Sequence, residues 1–158
     1  MRHRIPERPV FVSGLVVIAL CGLGIRASSR QVEAPAATRS VWDGVYTDEQ
    51  AQRGEQLYHE ACVSCHGDML KGSGETPGLT GNAFLSNWNG LTLGDLFERI
   101  RRTMPQDKPA RVTRQQKSDI LAYLLRFNKF PAGKAELPRQ TEFLNEIRFE
   151  AAKPDPKK

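Results

Sequence analysis

Three cysteines and three histidines in 158 residues leave little material for a metal centre made of side chains alone. A structural zinc site takes four ligands. Beyond the N-terminal region the chain offers only Cys62, Cys65, His66 and His59, and His59 sits too close to the others for ordinary zinc spacing. Aromatic residues make up 8% of the chain, and no basic stripe carries aromatics between its charges. The footprint of nucleic-acid binding is therefore missing. The net charge of +5 is also less than it looks, because residues 1–27 supply +3 of it. No apolar run reaches the ~20 residues of a comfortable membrane span. No internal repeat is visible.

What the chain does have is Cys62-Val63-Ser64-Cys65-His66. This is the C-x-x-C-H spacing of covalent c-type haem attachment. Two thiols one helical turn apart can each form a thioether to a haem vinyl group, and the adjacent histidine then lies under the iron as proximal ligand. A disulfide in an oxidising compartment is the competing reading, but so small a loop staples little and leaves His66 unexplained. The motif occurs once, so one haem is expected.

The N-terminus reads as an export signal. Basic residues precede an apolar run from Val10 to Ile25 with Cys21 inside it. The run fits a signal h-region, with cleavage after Gly24 or Ala27. The alternative is an uncleaved anchor through residues 10–25. Residues 1–27 are thus a signal peptide or membrane anchor, and Cys21 is a small apolar residue within it. Residues 28–42 have no apolar period and read as a linker.

Three helices are predicted in the domain proper, residues 43–133. The first runs from Asp48 to Ala61, with Thr47 and Gln50 spaced as a capping box and Gly54 and Tyr58 on its apolar face. Gly54 costs about 1 kcal/mol relative to alanine inside a helix, which a close helix crossing would explain. The second runs from Leu93 to Thr103 behind Thr92, with Leu93, Leu96, Phe97 and Ile100 on one face. Pro105 disfavours helical geometry at Met104 and ends it. The third follows the Thr113–Gln116 capping box, presents Ile120, Leu121, Leu124 and Phe127, and closes with Asn128 in the left-handed region. Residues 67–90 are glycine-rich and read as an irregular loop whose missing core a flat cofactor supplies. Residues 134–158 read as a partly disordered extension with one short amphipathic piece around Phe143, Leu144 and Ile147.

The sixth iron ligand has few candidates. Met69 is too near His66, and His59 falls on an exposed helix side. Met104 follows a long loop and a helix that can carry the chain to the opposite haem face. A thioether there favours reduced iron and raises the potential.

With these residues the chain resembles the class I, mitochondrial-like cytochromes c. The resemblance rests on Cys62-x-x-Cys65-His66 at a helix end, on Met104-Pro105, and on the helix Asp119-Ile120-Leu121-Ala122-Tyr123-Leu124. It covers roughly residues 47–130. It implies an all-α fold, three main helices plus loops around one covalent haem, with Gly54 and Tyr58 crossing the last helix near Tyr123 and Phe127. It further implies that the Pro77 carbonyl accepts the proximal histidine N–H and that Leu79 packs on the haem. Thr76 stands where the family pattern has glycine. A narrower similarity, through Asn82-Ala83-Phe84-Leu85-Ser86-Asn87-Trp88 and Met104-Pro105-Gln106-Asp107, is to small cytochromes c associated with pyrroloquinoline-quinone alcohol dehydrogenases. There Trp88 either donates its indole N–H to a haem propionate or packs.

Charge is partitioned. Residues 43–75 carry −5 and residues 99–134 carry +8, around the Met104 side. Such asymmetry steers transient encounters between redox proteins. The expectation is a periplasmic monohaem cytochrome, exported or anchored in the inner membrane. It passes single electrons and is not itself an enzyme. Its expected partners are a quinoprotein dehydrogenase, a terminal oxidase or another cytochrome. A haem sensor or small redox enzyme with an exchangeable sixth ligand is the alternative.

Overall fold

Local capping chemistry sets where the helices begin. Thr47, Thr92 and Thr113 are all in extended geometry, and each hydroxyl accepts a backbone N–H three residues on. Each satisfies one of the N–H groups that a helix start leaves unpaired. The helices that follow are α1 (Asp48–Ala61), α4 (Leu93–Thr103) and α5 (Arg114–Phe127). Between and after them lie α2 (Val63–His66), α3 (Gly81–Trp88) and α6 (Thr141–Leu144). Two short strands, β1 (Arg39–Ser40) and β2 (Ile147–Arg148), pair in parallel. This computed structural model describes residues 37–155. They fall in a single compact unit, and the fold is all-α with only this minimal strand pair. The expected signal or anchor at residues 1–27 lies outside the described residues. Among the described residues no helix is long and apolar enough to cross a membrane.

The central packing is α1 against α5. Gly54 is buried where the helices cross, and a Cβ there would lie 1.8 Å from the carbonyl oxygen of Asp119. Only glycine allows this approach, which explains its helix-propensity cost. The crossing point is Asp119, one turn before the expected Tyr123. Tyr58 meets the Tyr123 ring one turn further along, at 5.3 Å between centroids, and Tyr123 meets Phe127 at 6.0 Å.

Four expectations need correction. Residues 67–90 are not irregular throughout, because Gly81–Trp88 is helical and turns Phe84 into the core. Asn128 is not left-handed. Lys129 takes that position at φ 69°, its N–H donating to Arg126 O while that of Phe130 donates to Leu125 O. These are the two bonds of a Schellman ending, and buried Leu125 and Phe130 supply its apolar contact. The Thr47–Gln50 box is only half formed. The Gln50 side chain turns inward, accepting from Leu137 N–H at 2.7 Å and donating to Leu137 O at 3.1 Å.

The fourth correction concerns the domain limits. Residues 39–42, expected in a linker, include β1 and a fully buried Val41. The extension after residue 133, expected to be partly disordered, packs on the domain through residues 137–149. Leu137, Leu144, Ile147 and Phe149 are buried in the same core as Phe97 and Leu121. Trp42 binds this return, donating its indole N–H to Glu150 O at 2.9 Å and meeting the Phe130 ring at 4.8 Å. Ser40 Oγ also donates to the Glu150 carboxylate. Proline-bearing, polar sequence hid apolar residues spaced for a strap rather than for a helix.

Candidate functional site

The site begins where α1 stops. Cys62 is the closing residue of α1, its N–H bonded to Tyr58 O at 2.8 Å. Its carbonyl accepts from Cys65 and His66, making the single turn of α2. Gly67 then leaves at φ 71°. Both thiols are free, with Cys65 exposed and Cys62 half-buried. Burial pushes the Cys62 thiol up to about 11, only partly opposed by the Arg111 charge. A thiol–disulfide exchange centre needs an accessible thiolate, which the half-buried Cys62 does not offer.

His66 is 7% exposed. Its Nδ1 lies 3.0 Å from Pro77 O. A carbonyl only accepts, so Nδ1 carries the proton and Nε2 keeps its lone pair for another partner. This is the orientation that a histidine ligand needs. The loop that brings Pro77 there is stitched along its length. Gly72 N–H donates to His66 O at 2.9 Å, and Leu79 N–H donates to Leu70 O at 2.7 Å. Gly72 sits at φ 68°, and a Cβ there would meet Thr76 O at 2.1 Å and Pro77 C at 2.7 Å. Tyr58 Oη donates to Gly67 O at 2.7 Å, and Asn128 Nδ2 to Leu79 O at 3.0 Å. The loop is thus tied back to α1 and to the end of α5.

Leu79 is half-buried and packs against both apolar groups of the core, as does Ile100, one turn before Met104. Both residues therefore lie along the apolar seam where the two groups of the core meet. Met104 ends α4 in extended geometry, its N–H on Ile100 O at 3.0 Å, and is half-buried. Trp88 is half-buried against Phe84, with centroids 6.4 Å apart. Among the described residues no acceptor is bonded to its indole N–H, whereas the Trp42 indole is bonded to Glu150 O. Met69 is 60% exposed. His59 stands near Asp68 at the surface, 3.6 Å between Nδ1 and Oδ1. No set of three His, Cys, Asp or Glu side chains among the described residues could hold a metal ion, so the zinc reading finds no ligand set there.

Sequence reasoning missed Lys117. It is buried at 3% exposure, and its Nζ donates to Arg101 O at 3.0 Å and to Pro109 O at 2.8 Å. Burial holds its ammonium below the usual lysine range, with the nearby Arg101 charge acting the same way. The signal was present, since Lys117 falls on the helical stripe of Ile120, Leu121 and Leu124. The charge count also missed Glu98, which lies one residue outside the basic block. Its carboxylate binds Arg101 at 2.6 Å and Arg102 at 2.9 Å, so the α4 side is less positive than the count suggests.

Two free cysteines on one turn, a buried histidine with Nδ1 committed to a carbonyl, and a half-buried apolar seam fit a covalently attached haem. The fold that carries them is mostly helical, with one minimal strand pair. Residues 49–124 match the family model described as cytochrome C oxidase, cbb3-type, subunit III. The match covers just under half of the chain, and a domain of that kind would carry covalent haem c and transfer electrons. Among solved structures, a chain from the crystal structure of the sulfane dehydrogenase SoxCD from Paracoccus pantotrophus is similar at 20% identity and a TM-score of 0.45. The similarity covers 73% of this chain and 66% of that one, so this chain spans just under two thirds of its length. No curated protein matches.

Proposed function

We propose that this protein is an exported monohaem electron carrier in which Cys62 and Cys65 anchor the haem and His66 and Met104 ligate its iron. The observation that carries the reading is the 3.0 Å contact between His66 Nδ1 and Pro77 O directly after two free cysteines. A bound haem c supplies a one-electron couple between ferric and ferrous iron. The chain's own residues do the rest. His66 presents Nε2 with its ring angle fixed by Pro77. Leu79 and Ile100 line the seam with apolar surface, which would keep water from a bound iron and favour its less charged state. Trp88 offers an unbonded indole N–H to a propionate.

The similarity around Asn82–Trp88 and Met104–Asp107 to small cytochromes c associated with pyrroloquinoline-quinone alcohol dehydrogenases supports a quinoprotein dehydrogenase as electron donor. The match to a family described as an oxidase subunit supports a terminal oxidase, or another cytochrome, as acceptor. The basic run at N-terminal residues 2–8 and the apolar stretch at 10–25 support a periplasmic location, free or tethered.

Carbon monoxide tests the closed site. The ferrous protein should bind it slowly at neutral pH, and Met104→Ala should bind it readily. The same variant should lose the sulfur-to-iron charge-transfer band of the ferric spectrum and have a lower potential. Rapid binding by the wild type would replace the carrier reading with that of a haem whose sixth position is open to exchange.

A further inference from the structure

The ammonium of Lys117 is an unusual object in this molecule. It is buried, and no carboxylate lies within ion-pair distance of it among the described residues. Burying an unpaired charge is costly unless hydrogen bonds replace the lost water. Two carbonyls do so here, Arg101 O and Pro109 O. Arg101 lies in the last turn of α4, where carbonyls lack helical partners and the helix dipole is negative. Pro109 opens the 3₁₀ turn Pro109–Arg111 that leads to α5. The two carbonyls bracket residues 102–108, and Met104 lies between them. Lys117 itself is fixed in the first turn of α5, its N–H on Thr113 O at 3.0 Å. One rigid helix therefore grips both ends of the segment that carries the sixth-ligand candidate.

We propose that Lys117 is a positioning residue that clasps the 102–108 segment and so holds Met104 on the iron. The proposal rests on the reading of Met104 as ligand. Two donors on one short arm close the loop against the helix that packs on α1. Arg102 and Thr103 are also tied back to α4, at 2.9 Å to Glu98 and 2.7 Å to Arg99 O, and Lys108 O accepts from Arg111 N–H at 3.1 Å. Residues 104–107 in between are held by fewer bonds, Met104 N–H to Ile100 O and the Asp107–Arg111 pair at 3.7 Å. Without the ammonium, Arg101 O and Pro109 O would lose a charged partner inside the protein, and the segment would open more often. Each hydrogen bond to a charged group contributes enough to move an opening equilibrium by tenfold or more.

The test compares wild type, Lys117→Met and Met104→Ala as haemoproteins, using imidazole as a probe that binds ferric iron only when the sixth position opens. Lys117→Met keeps the chain length and removes the donors. It should retain covalent haem and helical circular dichroism, bind imidazole at least tenfold more tightly than wild type, and lose the sulfur-to-iron band on warming well before the helices melt. If imidazole affinity is unchanged and the band fades only with the helices, Lys117 is merely structural and the clasp is wrong. If Met104→Ala keeps the wild-type band, the ligand assignment itself fails, which is a distinguishable result. Hydrogen exchange on the wild type reads the segment without any substitution. The Met104 and Arg111 amides should be as protected as those inside α4, and exchange far faster than α4 would overturn the clasp even if no variant folds.

Discussion

Replacing Gly54 with alanine puts a single methyl group into the tightest place in the molecule. The added carbon would lie 1.8 Å from Asp119 O, 2.4 Å from Asp119 C and 3.0 Å from Ile120 N. All three atoms are backbone of α5, so no rotamer change relieves the contact. Ordinary contact begins near 3.4 Å, so α1 and α5 must separate by roughly 1.5 Å at the crossing. Overpacking costs about 1–3 kcal/mol and occasionally more, and an unyielding backbone puts this site at the upper end. Alanine returns about 1 kcal/mol of helix propensity. The net loss is then about 2 kcal/mol, or roughly 6 °C in melting temperature for a chain of this size. Tyr58, one turn along α1, would shift with it and weaken its bond to Gly67 O, behind His66. Thermal melts followed by far-ultraviolet circular dichroism, on wild type and Gly54→Ala with haem attached, give the answer. An unchanged or raised melting temperature would mean that the helices do not approach through Gly54, and the packing argument would be refuted.

Gln50→Ala removes the side-chain acceptor of the buried Leu137 N–H, while Leu137 O keeps its bond from Ser118 Oγ. The cost should be about 1–3 kcal/mol, visible as a lower denaturant midpoint and faster proteolysis between Pro131 and Gln140. Glu98 is held down to about 2 by its hydrogen bond to Arg101, with Thr141 and Arg102 adding to it. A depressed carboxylate stabilises the fold fully above its ordinary range near 4.5, and that contribution is lost as pH falls toward 2. The wild-type melting temperature should therefore drop more steeply over that window than that of Glu98→Gln, and parallel curves would show that the network contributes nothing. The effect should be small because Arg102 is exposed.

The three main helices and the contact of His66 with Pro77 O were legible in the sequence, the helices because their determinants are local. Threonine caps, an apolar period and a proline stop set α1, α4 and α5 within the chain itself. Gly54 announced a crossing but not its register, since the contacting atom is a carbonyl that carries no side-chain signature. Of the strap from Leu137 to Phe149, the sequence showed only the piece at Leu144 and Ile147; the rest was hidden because its residues serve partners far away in sequence, such as Gln50 and Phe130. Lys117 was overlooked for the same reason. Its two acceptors are backbone atoms of other elements, and a lysine on an apolar stripe reads as a solvated end unless the fold covers it. Glu98 shows the limit of counting charge by segment, because one carboxylate just outside the counted block pairs with two arginines inside it and offsets one of their charges.

Covalent attachment of one haem underlies everything proposed for this chain, and the mass of the denatured protein reads it without assumption about partners or potential. The protein should be made in cells that attach haem c, then unfolded in acid and weighed. Wild type should weigh as its polypeptide plus one haem, and the Cys62→Ala, Cys65→Ala double variant as the bare polypeptide. A wild-type chain that sheds all haem on denaturation would contradict the assignment of Cys62, Cys65 and His66 as a haem c site.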